Sequence, residues 1–207
     1  MPRLSDQTIK IYDRVAKAYD TERRKDLFER PWLERVLRDV PRGGDVLDLG
    51  CGAGEPIGAW LVAQGYAVTG ADAAPAMLDM FRKRLPQAQA VLADMRALDL
   101  GRDFDAIVGW GSFFHLRPEE QRAGLPRIAP HLRPGGRLLL TVGPEAGEVT
   151  GVAGGETVYH ASLAPETYKA ILDCSDCEVE HFLPQEPSAA GFTLLIARRK
   201  MPDSVDK

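Results

Sequence analysis

Three glycines at alternate positions follow a short apolar run near residue 50 and give the strongest chemical signal in the chain. Residues 45–58 read D-V-L-D-L-G-C-G-A-G-E-P-I-G, with Gly50, Gly52 and Gly54 after the run and Pro56 before a helical apolar pattern. This order predicts a strand, a tight turn and a helix, the unit from which nucleotide-binding α/β sheets are built. Glycines adopt positive φ and let a ligand approach main-chain N–H groups without a Cβ in the way. The segment therefore predicts a nucleotide-binding turn.

Acidic residues around this turn restrict the charge of the ligand that it can bind. Asp48 precedes the first glycine, and Glu55 stands where the dinucleotide fingerprint has its third glycine or alanine. A carboxylate close to a diphosphate costs about 4 kcal/mol per pair at an effective dielectric constant of about 20. The two acids therefore favour a ligand that carries positive charge and no phosphate. S-adenosylmethionine, with a sulfonium, an ammonium, a ribose and an adenine, has these properties.

A further acid lies at the end of the next predicted strand. Asp72 stands roughly twenty residues past the glycines, where doubly wound folds place an acid that binds a ribose diol. Two carboxylate oxygens match two ribose hydroxyls, and each such bond contributes about 1.5–3 kcal/mol. We expect Asp72 and the adjoining Ala73 to bind the ribose, whereas Met77 either lies against the adenine or fills the core.

Between about Tyr12 and Arg199 the chain resembles the class I S-adenosylmethionine-dependent methyltransferases. The motifs that carry the resemblance, in order, are the glycine turn with Asp48, the acid Asp72, the triplet Ala93-Asp94-Met95, and residues 110–115 (W-G-S-F-F-H). The resemblance implies an α/β fold with a Rossmann-like, doubly wound seven-stranded sheet, mostly parallel with an antiparallel final strand and with helices on both faces. It also implies S-adenosylmethionine as cofactor and methyl transfer to a small-molecule acceptor.

The resemblance implies roles for individual residues on the cofactor side. Asp94 would accept a hydrogen bond from the adenine amino group and Met95 would meet a ring nitrogen, although Asp94 alternatively caps the turn that follows. Asp48 would steady the glycine turn, in which Cys51 is a small residue, and Tyr19 would belong to a lid over the cofactor carboxylate. The residues expected to bind the cofactor are Tyr19, Asp48, Gly50, Cys51, Gly52, Gly54, Asp72, Ala73, Met77, Asp94, Met95, Trp110 and Gly111.

The sequence says less about the residues that contact the methyl acceptor. The resemblance places the segment after the fourth strand beside the methyl donor, so its His115 is the candidate general base; the alternative is a histidine satisfied by the backbone. Tyr12 is either packing or part of the lid. The residues expected near the acceptor are Phe113, Phe114, Tyr159 and His160, with Tyr168 completing an aromatic pocket and Glu145 meeting a cationic acceptor.

Composition and charge restrict the partners. The 207 residues, 44% hydrophobic and 27% charged, predict one soluble globular domain. A net charge of -4 without a basic face argues against nucleic acid, and residues 110–115 lack the Asn/Asp-Pro-Pro-aromatic motif of base methyltransferases. No apolar run is long enough to cross a bilayer, and the N-terminus lacks a signal-peptide core. Three cysteines, with an isolated Cys174-x-x-Cys177, predict free thiols, no metal site and a cytoplasmic setting. The sequence does not distinguish a monomer from a homodimer.

Alternating strand and helix patterns predict a single α/β domain over residues 1–207, which the resemblance implies is a methyltransferase domain. Strands are predicted at 46–49, 66–71, 88–93, 104–110, 137–142, 178–183 and 192–198. Helices are predicted at 5–40 with a restart at Pro31, from Pro56, and at 75–85, 118–131 and 165–174. The helix at 118–131 is expected to be interrupted near Pro126. Within this domain we expect a helical lid (1–43), a cofactor-binding core (44–142), a mobile Gly- and Glu-rich loop (143–163), and a C-terminal helix with a strand pair (164–199).

Three other functions remain open from the sequence. An NAD(P)-linked oxidoreductase would share the fold, although Glu55 opposes it. A non-catalytic S-adenosylmethionine-binding protein is compatible with every motif, because methyl transfer requires no diagnostic catalytic side chain. A nucleic-acid methyltransferase would need the base-site motif and the basic surface that the sequence lacks.

Overall fold

The computed structural model describes residues 3–202, in which strands and helices alternate. The strands are β1 (Asp45–Leu49), β2 (Ala67–Asp72), β3 (Gln89–Leu92), β4 (Phe104–Gly109), β5 (Leu132–Val142), β6 (Gly147–Ala153), β7 (Glu156–Ser162), β8 (Cys177–Leu183) and β9 (Thr193–Arg199). The helices are α1 (Thr8–Glu22), α2 (Arg30–Leu37), α3 (Ile57–Ala63), α4 (Pro75–Arg84), α5 (Pro118–Ile128) and α6 (Pro165–Asp173). The outermost parts of the predicted domain, residues 1–2 and 203–207, lie outside the described residues.

Seven strands form one sheet in the order β3-β2-β1-β4-β5-β9-β8. Strand β1 pairs in parallel with β2 and with β4, whereas β9 runs antiparallel to both of its neighbours, β5 and β8. This confirms the predicted seven-stranded, mostly parallel sheet and the antiparallel pairing of its last two strands. Strand order reverses at β1 and β4, and ligands of open α/β sheets bind at the carboxyl ends of strands beside such a reversal.

Alternate residues of the central strands point to opposite faces and build two apolar layers. Leu47 of β1 and Ile107 of β4 belong to the layer that also includes residues of α5 and α6. Val46 and Val108 belong to the other layer, which includes residues of α2, α3 and α4. Because both faces are covered, the buried residues of the central strands are mostly apolar on both sides, as expected for parallel strands in this fold class, and the buried Asp48 of β1 is an exception.

The predicted loop at 143–163 is wrong over most of its length, because residues 147–162 form an antiparallel hairpin of β6 and β7. Thr150 pairs with Tyr159 and Val152 with Thr157. The turn between the strands is Gly154-Gly155, with φ values of 55° and 80°. A two-residue turn with positive φ at both positions matches the twist of a hairpin, and Gly-Gly between β-branched residues is a signal for it. The composition of the segment concealed that signal.

The second helix expected to restart at Pro31 is confirmed as α2, which the non-helical residues 23–29 separate from α1. One predicted helix interruption is wrong. The interruption expected near Pro126 does not occur, because α5 continues through Pro126 to Ile128. A proline removes one backbone donor and crowds the carbonyl four residues before it, so α5 accommodates Pro126 at some cost to its own hydrogen bonding. This difference leaves the strand ends, and therefore the ligand crevice, in the expected places.

Within residues 3–202, no helix combines the length and the hydropathy needed to cross a membrane. The three cysteines are free thiols: Cys51 and Cys177 are buried, and Cys174 is exposed.

Candidate functional site

The glycine turn leaves β1 and closes onto β2. Its three glycines have φ values of 76°, 52° and 88°, which side chains other than hydrogen rarely allow. The N–H groups of Gly50 and Cys51 donate to the carbonyl oxygen of Ala71, at 2.7 and 3.1 Å. A Cβ at Gly50 would overlap Ser112, whereas a Cβ at Gly52 would meet nothing closer than the Met77 sulfur at 3.9 Å. A side chain at position 52 would therefore enter the space above the turn.

That space is a cavity of about 140 Å³ at the carboxyl ends of β1, β2 and β4. Its lining contains nearly all the residues predicted to bind the cofactor, together with the candidate base: Tyr19, Asp48, Gly50, Cys51, Gly52, Asp72, Ala73, Met77, Asp94, Met95, Trp110, Gly111 and His115. Gly54 is the exception, because it does not line the cavity; a Cβ there would meet Leu85 and Phe81 at 2.9 Å. Gly54 thus permits the packing of the turn on α4 and is not a contact residue.

Asp72 is held at the end of β2 by the backbone around it. One carboxylate oxygen accepts a hydrogen bond from Gly52 N at 2.9 Å, and the other accepts one from Ala74 N at 2.8 Å. Burial raises the pKa of Asp72, and these backbone hydrogen bonds partly oppose the rise. Each carboxylate oxygen has more than one lone pair, so both can accept a further hydrogen bond from a ligand in the cavity.

Asp48 is a buried carboxyl group without a hydrogen-bond partner among the residues that the structure describes. Its exposed fraction is 4%, and it lines the cavity beneath the glycine turn. Burial, with a smaller contribution from the nearby charge of Asp72, raises the pKa of Asp48 to about 7. Isolated buried carboxylates are unfavourable unless a partner compensates them. The cavity is therefore matched to a ligand that brings positive charge close to Asp48.

Glu55 differs from Asp48 because it is already compensated. Its carboxylate lies 3.1 Å from Lys25 Nζ and 3.5 Å from Arg84 Nε. The sequence argument treated both acids as free, and the structure leaves only Asp48 uncompensated. The electrostatic case against a diphosphate thus rests on Asp48.

Arg23 lines the cavity and was not identified from the sequence. It follows α1, and its guanidinium forms an ion pair with the fully buried Glu29. A guanidinium presents five donors in a planar fork, more than one carboxylate can accept. Arg23 is thus available to an anionic group of a ligand, and only the tertiary position of the residues between α1 and α2 reveals this.

Asp94 caps the short turn after β3, as the alternative interpretation of the sequence held. Its carboxylate accepts hydrogen bonds from the backbone N–H and the guanidinium of Arg96, the former at 2.9 Å. Burial acts to raise the pKa of Asp94, but the hydrogen bonds and the charge of Arg96 outweigh it, and the net shift is downwards. Arg96 also pairs with Glu120, which lines the same end of the cavity.

His115 has both ring nitrogens engaged. Nδ1 lies 2.9 Å from the carbonyl oxygen of Tyr159, and Nε2 lies 2.9 Å from the hydroxyl of Tyr12. A carbonyl only accepts, so Nδ1 carries the proton and the Tyr12 hydroxyl donates to Nε2. Burial lowers the pKa of His115 to about 4, against the effect of the bond to Tyr159. A neutral imidazole whose lone pair already accepts a hydrogen bond is a poor general base, and His115 is better described as a positioning group for Tyr12.

We expect His115 to remain neutral from about pH 5 upwards, because protonation would bury a charge and break its bond from Tyr12. Nitrogen-15 NMR of the imidazole should show the Nδ1–H tautomer without titration above that pH. The His115→Asn variant identifies the resonance, and a titration midpoint between pH 6 and 7 would contradict the assignment.

The residues predicted to contact the acceptor differ in their burial and in their distance from the cavity. Phe113 and Tyr168 are fully buried in one apolar layer and do not line the cavity, and the Tyr168 hydroxyl donates to Gln121. Tyr159 is buried and donates its hydroxyl to Glu148. Phe114 and His160 are half-buried and in ring contact, with centroids 4.6 Å apart.

Glu145 is exposed at the start of the hairpin, outside the cavity. The half-buried Phe28 and Phe192 lie against Trp110, at 5.9 and 5.7 Å between ring centroids, and the sequence gave no local signal for either.

A mostly parallel sheet with a glycine turn, two acids and a cavity at the strand-order reversal is typical of doubly wound domains, which bind their ligands at that place. Residues 46–136 match the family model of a methyltransferase domain. This segment, which runs from β1 into β5 and is somewhat less than half of the chain, is thus similar to a methyltransferase domain.

Individual relatives are similar over part of their length. The dTDP-3-amino-3,4,6-trideoxy-alpha-D-glucopyranose N,N-dimethyltransferase of Streptomyces venezuelae is 37% identical over 107 residues, which cover 51% of this chain and 45% of that protein. The tRNA (carboxymethyluridine(34)-5-O)-methyltransferase ALKBH8 of Macaca fascicularis is 30% identical over 136 residues, 64% of this chain and 19% of that protein. The chain thus spans less than half the length of these two relatives.

Among solved structures, the sugar N-methyltransferase KedS8 from Streptoalloteichus sp ATCC 53650 superposes with a TM-score of 0.67. Its sequence identity is 23%, and the match covers 84% of this chain and 87% of that one, which shows a common fold.

Proposed function

We propose that this protein transfers the methyl group of S-adenosylmethionine to a small-molecule acceptor. The observation that carries the proposal is Asp48, a buried carboxyl without a partner among the described residues, facing a cavity whose glycine turn leaves room for a ligand. A cationic adenosyl compound compensates this charge, whereas a dinucleotide diphosphate would add a second negative charge beside it.

The cavity residues fit the parts of this cofactor. Asp72 has free lone pairs for the two ribose hydroxyls, and Asp48 is placed for the methionyl ammonium. Arg23 can bind the methionyl carboxylate, since its fork retains donors beyond those used by Glu29. The backbone at Met95 is available to the adenine edge, while the Asp94 carboxylate is already occupied by Arg96.

The chemistry is divided between cofactor and chain. When bound, S-adenosylmethionine supplies an electrophilic methyl group on a sulfonium, and alignment alone can contribute about 7–11 kcal/mol to such a transfer. Tyr19, Trp110 and the neutral His115 surround the cavity and exclude water from it. Burial raises the pKa of Tyr12, so its hydroxyl stays protonated and donates to His115. The chain thus supplies position and desolvation, and the acceptor must arrive with a free lone pair.

Helix α1 covers the cavity and is fastened to the cofactor-binding half. Asp20 forms a two-point ion pair with Arg84 of α4, at 3.0 and 2.9 Å, and Arg84 also donates to the carbonyl oxygen of Ala53 in the glycine turn at 2.6 Å. Asp13 of α1 accepts a hydrogen bond from Ala76 N at 2.7 Å. We infer that a ligand enters when these contacts open.

The Asp20→Asn variant is therefore expected to release S-adenosylhomocysteine about tenfold faster, because hydrogen bonds to charged groups contribute about 1.5–3 kcal/mol before solvent screening. Stopped-flow displacement measures the rate. The Asp26→Asn variant is the matched control, since Asp26 forms an exposed ion pair with Arg24 away from the cavity. Equal release rates in both variants would contradict the proposal that the Asp20–Arg84 ion pair holds α1 over the cavity.

A small-molecule acceptor is supported by the chain and by one relative. The net charge is -4, and a nucleic-acid substrate would require a basic surface. A Streptomyces venezuelae relative is named for an amino-sugar nucleotide, although another relative is named for a tRNA. Three free thiols support a cytoplasmic setting, because such thiols persist in reducing compartments.

Calorimetry with S-adenosylhomocysteine tests the cofactor, and NADH under the same conditions tests the oxidoreductase alternative. We expect binding of the first and not of the second; the reverse result would reject the proposal. Incubation with methyl-labelled S-adenosylmethionine and a metabolite library then separates an enzyme from a non-catalytic binding protein, and parallel incubation with bulk tRNA tests the nucleic-acid alternative.

A further inference from the structure

A continuous series of rings leads from the cavity to the surface. We call it the aromatic wall, and it consists of His115, Trp110, Phe28, Phe192, Phe114 and His160. His115 and Trp110 line the cavity. The other four are half-buried and lie further out. They come from four separate segments that meet at the same end of the sheet: the connection between α1 and α2, the segment after β4, strand β7, and the residue before β9.

The ring planes of the three outer phenylalanines are nearly parallel. The ring of Phe192 is tilted by 11° from Phe28 and by 17° from Phe114, with centroids 6.4 and 6.5 Å apart. Trp110 meets Phe28 and Phe192 edge-on, at 5.9 and 5.7 Å. The planes of the three rings are thus nearly parallel, and aromatic rings bind other flat rings by offset stacking.

The histidines connect this row to the cavity. The centroid of His160 lies 4.6 Å from Phe114 and 4.9 Å from His115. His115 in turn lies 5.1 Å from Tyr12, which lines the cavity. The wall is therefore contiguous with the space proposed for the cofactor.

His160 is the polar group of the wall that remains available. Among residues 3–202 neither of its ring nitrogens has a hydrogen-bond partner, whereas both nitrogens of His115 are engaged. The ring lies against Gly151 of the neighbouring strand, where a Cβ would come within 2.4 Å of it. Gly151 thus leaves the room that His160 occupies, and the half-buried imidazole can donate to or accept from a ligand.

We propose that the aromatic wall is the acceptor subsite and that it selects a planar aromatic molecule whose hydroxyl or amino group is held by His160. This inference rests on the proposed function, since the wall is relevant only beside a methyl donor. A flat ring would stack on Phe192 and its neighbours and place its polar substituent against the imidazole.

Other acceptor classes fit the wall less well. A polyhydroxylated sugar on these rings would leave several hydroxyls without partners, and each unpaired polar group costs free energy. The cation at the outer end, Arg24, whose guanidinium lies 4.5 Å from the centre of the Phe28 ring, already pairs with Asp26. A phosphate-rich acceptor would therefore compete with this ion pair.

The test uses the full chain saturated with S-adenosylhomocysteine and three probes: naphthalen-2-ol, its saturated and non-planar counterpart decahydronaphthalen-2-ol, and glucosamine. Saturation-transfer NMR and calorimetry at millimolar probe concentration measure binding. We expect the planar probe to bind and the other two to bind more weakly. Absence of naphthalen-2-ol binding, or tighter binding of glucosamine, would overturn the inference.

Variants of half-buried rings locate the site. Phe192→Leu and Phe28→Leu are expected to weaken naphthalen-2-ol binding by about three- to tenfold, the loss of one aromatic contact each. His160→Phe keeps a ring against Phe114 and Gly151 and should weaken binding by a similar factor through loss of one hydrogen bond. Trp60→Leu is the control, because Trp60 is a half-buried aromatic residue of α3 outside the wall.

The affinity for S-adenosylhomocysteine distinguishes a failure of the acceptor assignment from a failure of the proposed function. If it is retained while the wall variants leave probe binding unchanged, the acceptor assignment is wrong and the proposed function stands. If the unaltered chain does not bind S-adenosylhomocysteine, the proposed function itself fails. Thermal unfolding of each variant confirms that a loss of binding is not a loss of fold.

Discussion

Replacing Asp72 by alanine is expected to weaken S-adenosylhomocysteine binding by at least about a hundredfold. Two charge-assisted hydrogen bonds to the ribose are lost, each contributing about 1.5–3 kcal/mol, and about 1.4 kcal/mol corresponds to a factor of ten. The same substitution releases Gly52 N and Ala74 N, which Asp72 holds at 2.9 and 2.8 Å. The expected loss therefore combines a missing ligand contact with a less ordered glycine turn.

Two further variants separate these contributions. Asp72→Asn keeps an acceptor oxygen for only one of Gly52 N and Ala74 N and loses the charge, so it should disturb the turn less than alanine does and still bind more weakly. Asp79→Ala is the matched control, since Asp79 is an exposed aspartate of α4 that pairs with Arg82. Calorimetry gives the affinities, and an unchanged affinity of Asp72→Ala would remove the ribose assignment.

The affinity for S-adenosylmethionine is expected to rise with pH up to about pH 7 and to level off above it. Burial raises the pKa of Asp48 to about 7, so below that pH the carboxyl is mostly neutral and cannot compensate a cation. A ligand that binds only the ionised form gains about tenfold in affinity for each pH unit below this pKa. Binding of the cation should in turn release a proton from Asp48, which calorimetry in buffers of different ionisation enthalpy detects.

The ligand-free protein should show the opposite trend in stability. The pKa of Asp48 in the folded state lies above that of an unfolded chain, so the folded state binds the proton more tightly between about pH 4 and 7. Stability is therefore fully present at the acidic end of this window and is lost as pH rises through it, by about 4 kcal/mol for a shift of this size. The Asp48→Asn variant should lose both dependences, and an identical pH profile in the variant and the unaltered chain would contradict the assignment.

Sequence spacing grouped most residues of the expected cofactor site around one cavity, because they stand at the ends of consecutive strands. A strand end, once identified, fixes the position of Asp48, Asp72 and Met95 in a parallel sheet, whatever the rest of the chain does. The role of Asp94 remained open because an aspartate in that position can serve a ligand or a turn, and only the position of Arg96 shows that the carboxylate is occupied.

The acceptor side was predicted less well because it depends on tertiary contacts. Phe113 and Phe114 are adjacent in one short turn, yet the first is buried in the core and the second is half-buried at the surface. Phe28 and Phe192 have no motif of their own and become relevant only because both pack on Trp110. The pairing of Glu55 with Lys25 and Arg84 likewise joins distant segments and could not be read from local spacing.

The hairpin of β6 and β7 stands apart from the seven-stranded sheet and pairs with none of its strands. It enters the chain between β5 and α6, downstream of every strand end that contributes to the cofactor cavity, and carries His160. An exchange of this hairpin for one of another sequence would leave β1, β2 and β4 and their register intact. The hairpin thus offers an exchangeable part for altering the proposed acceptor subsite, provided that the new sequence keeps a carbonyl for His115, which Tyr159 O now supplies.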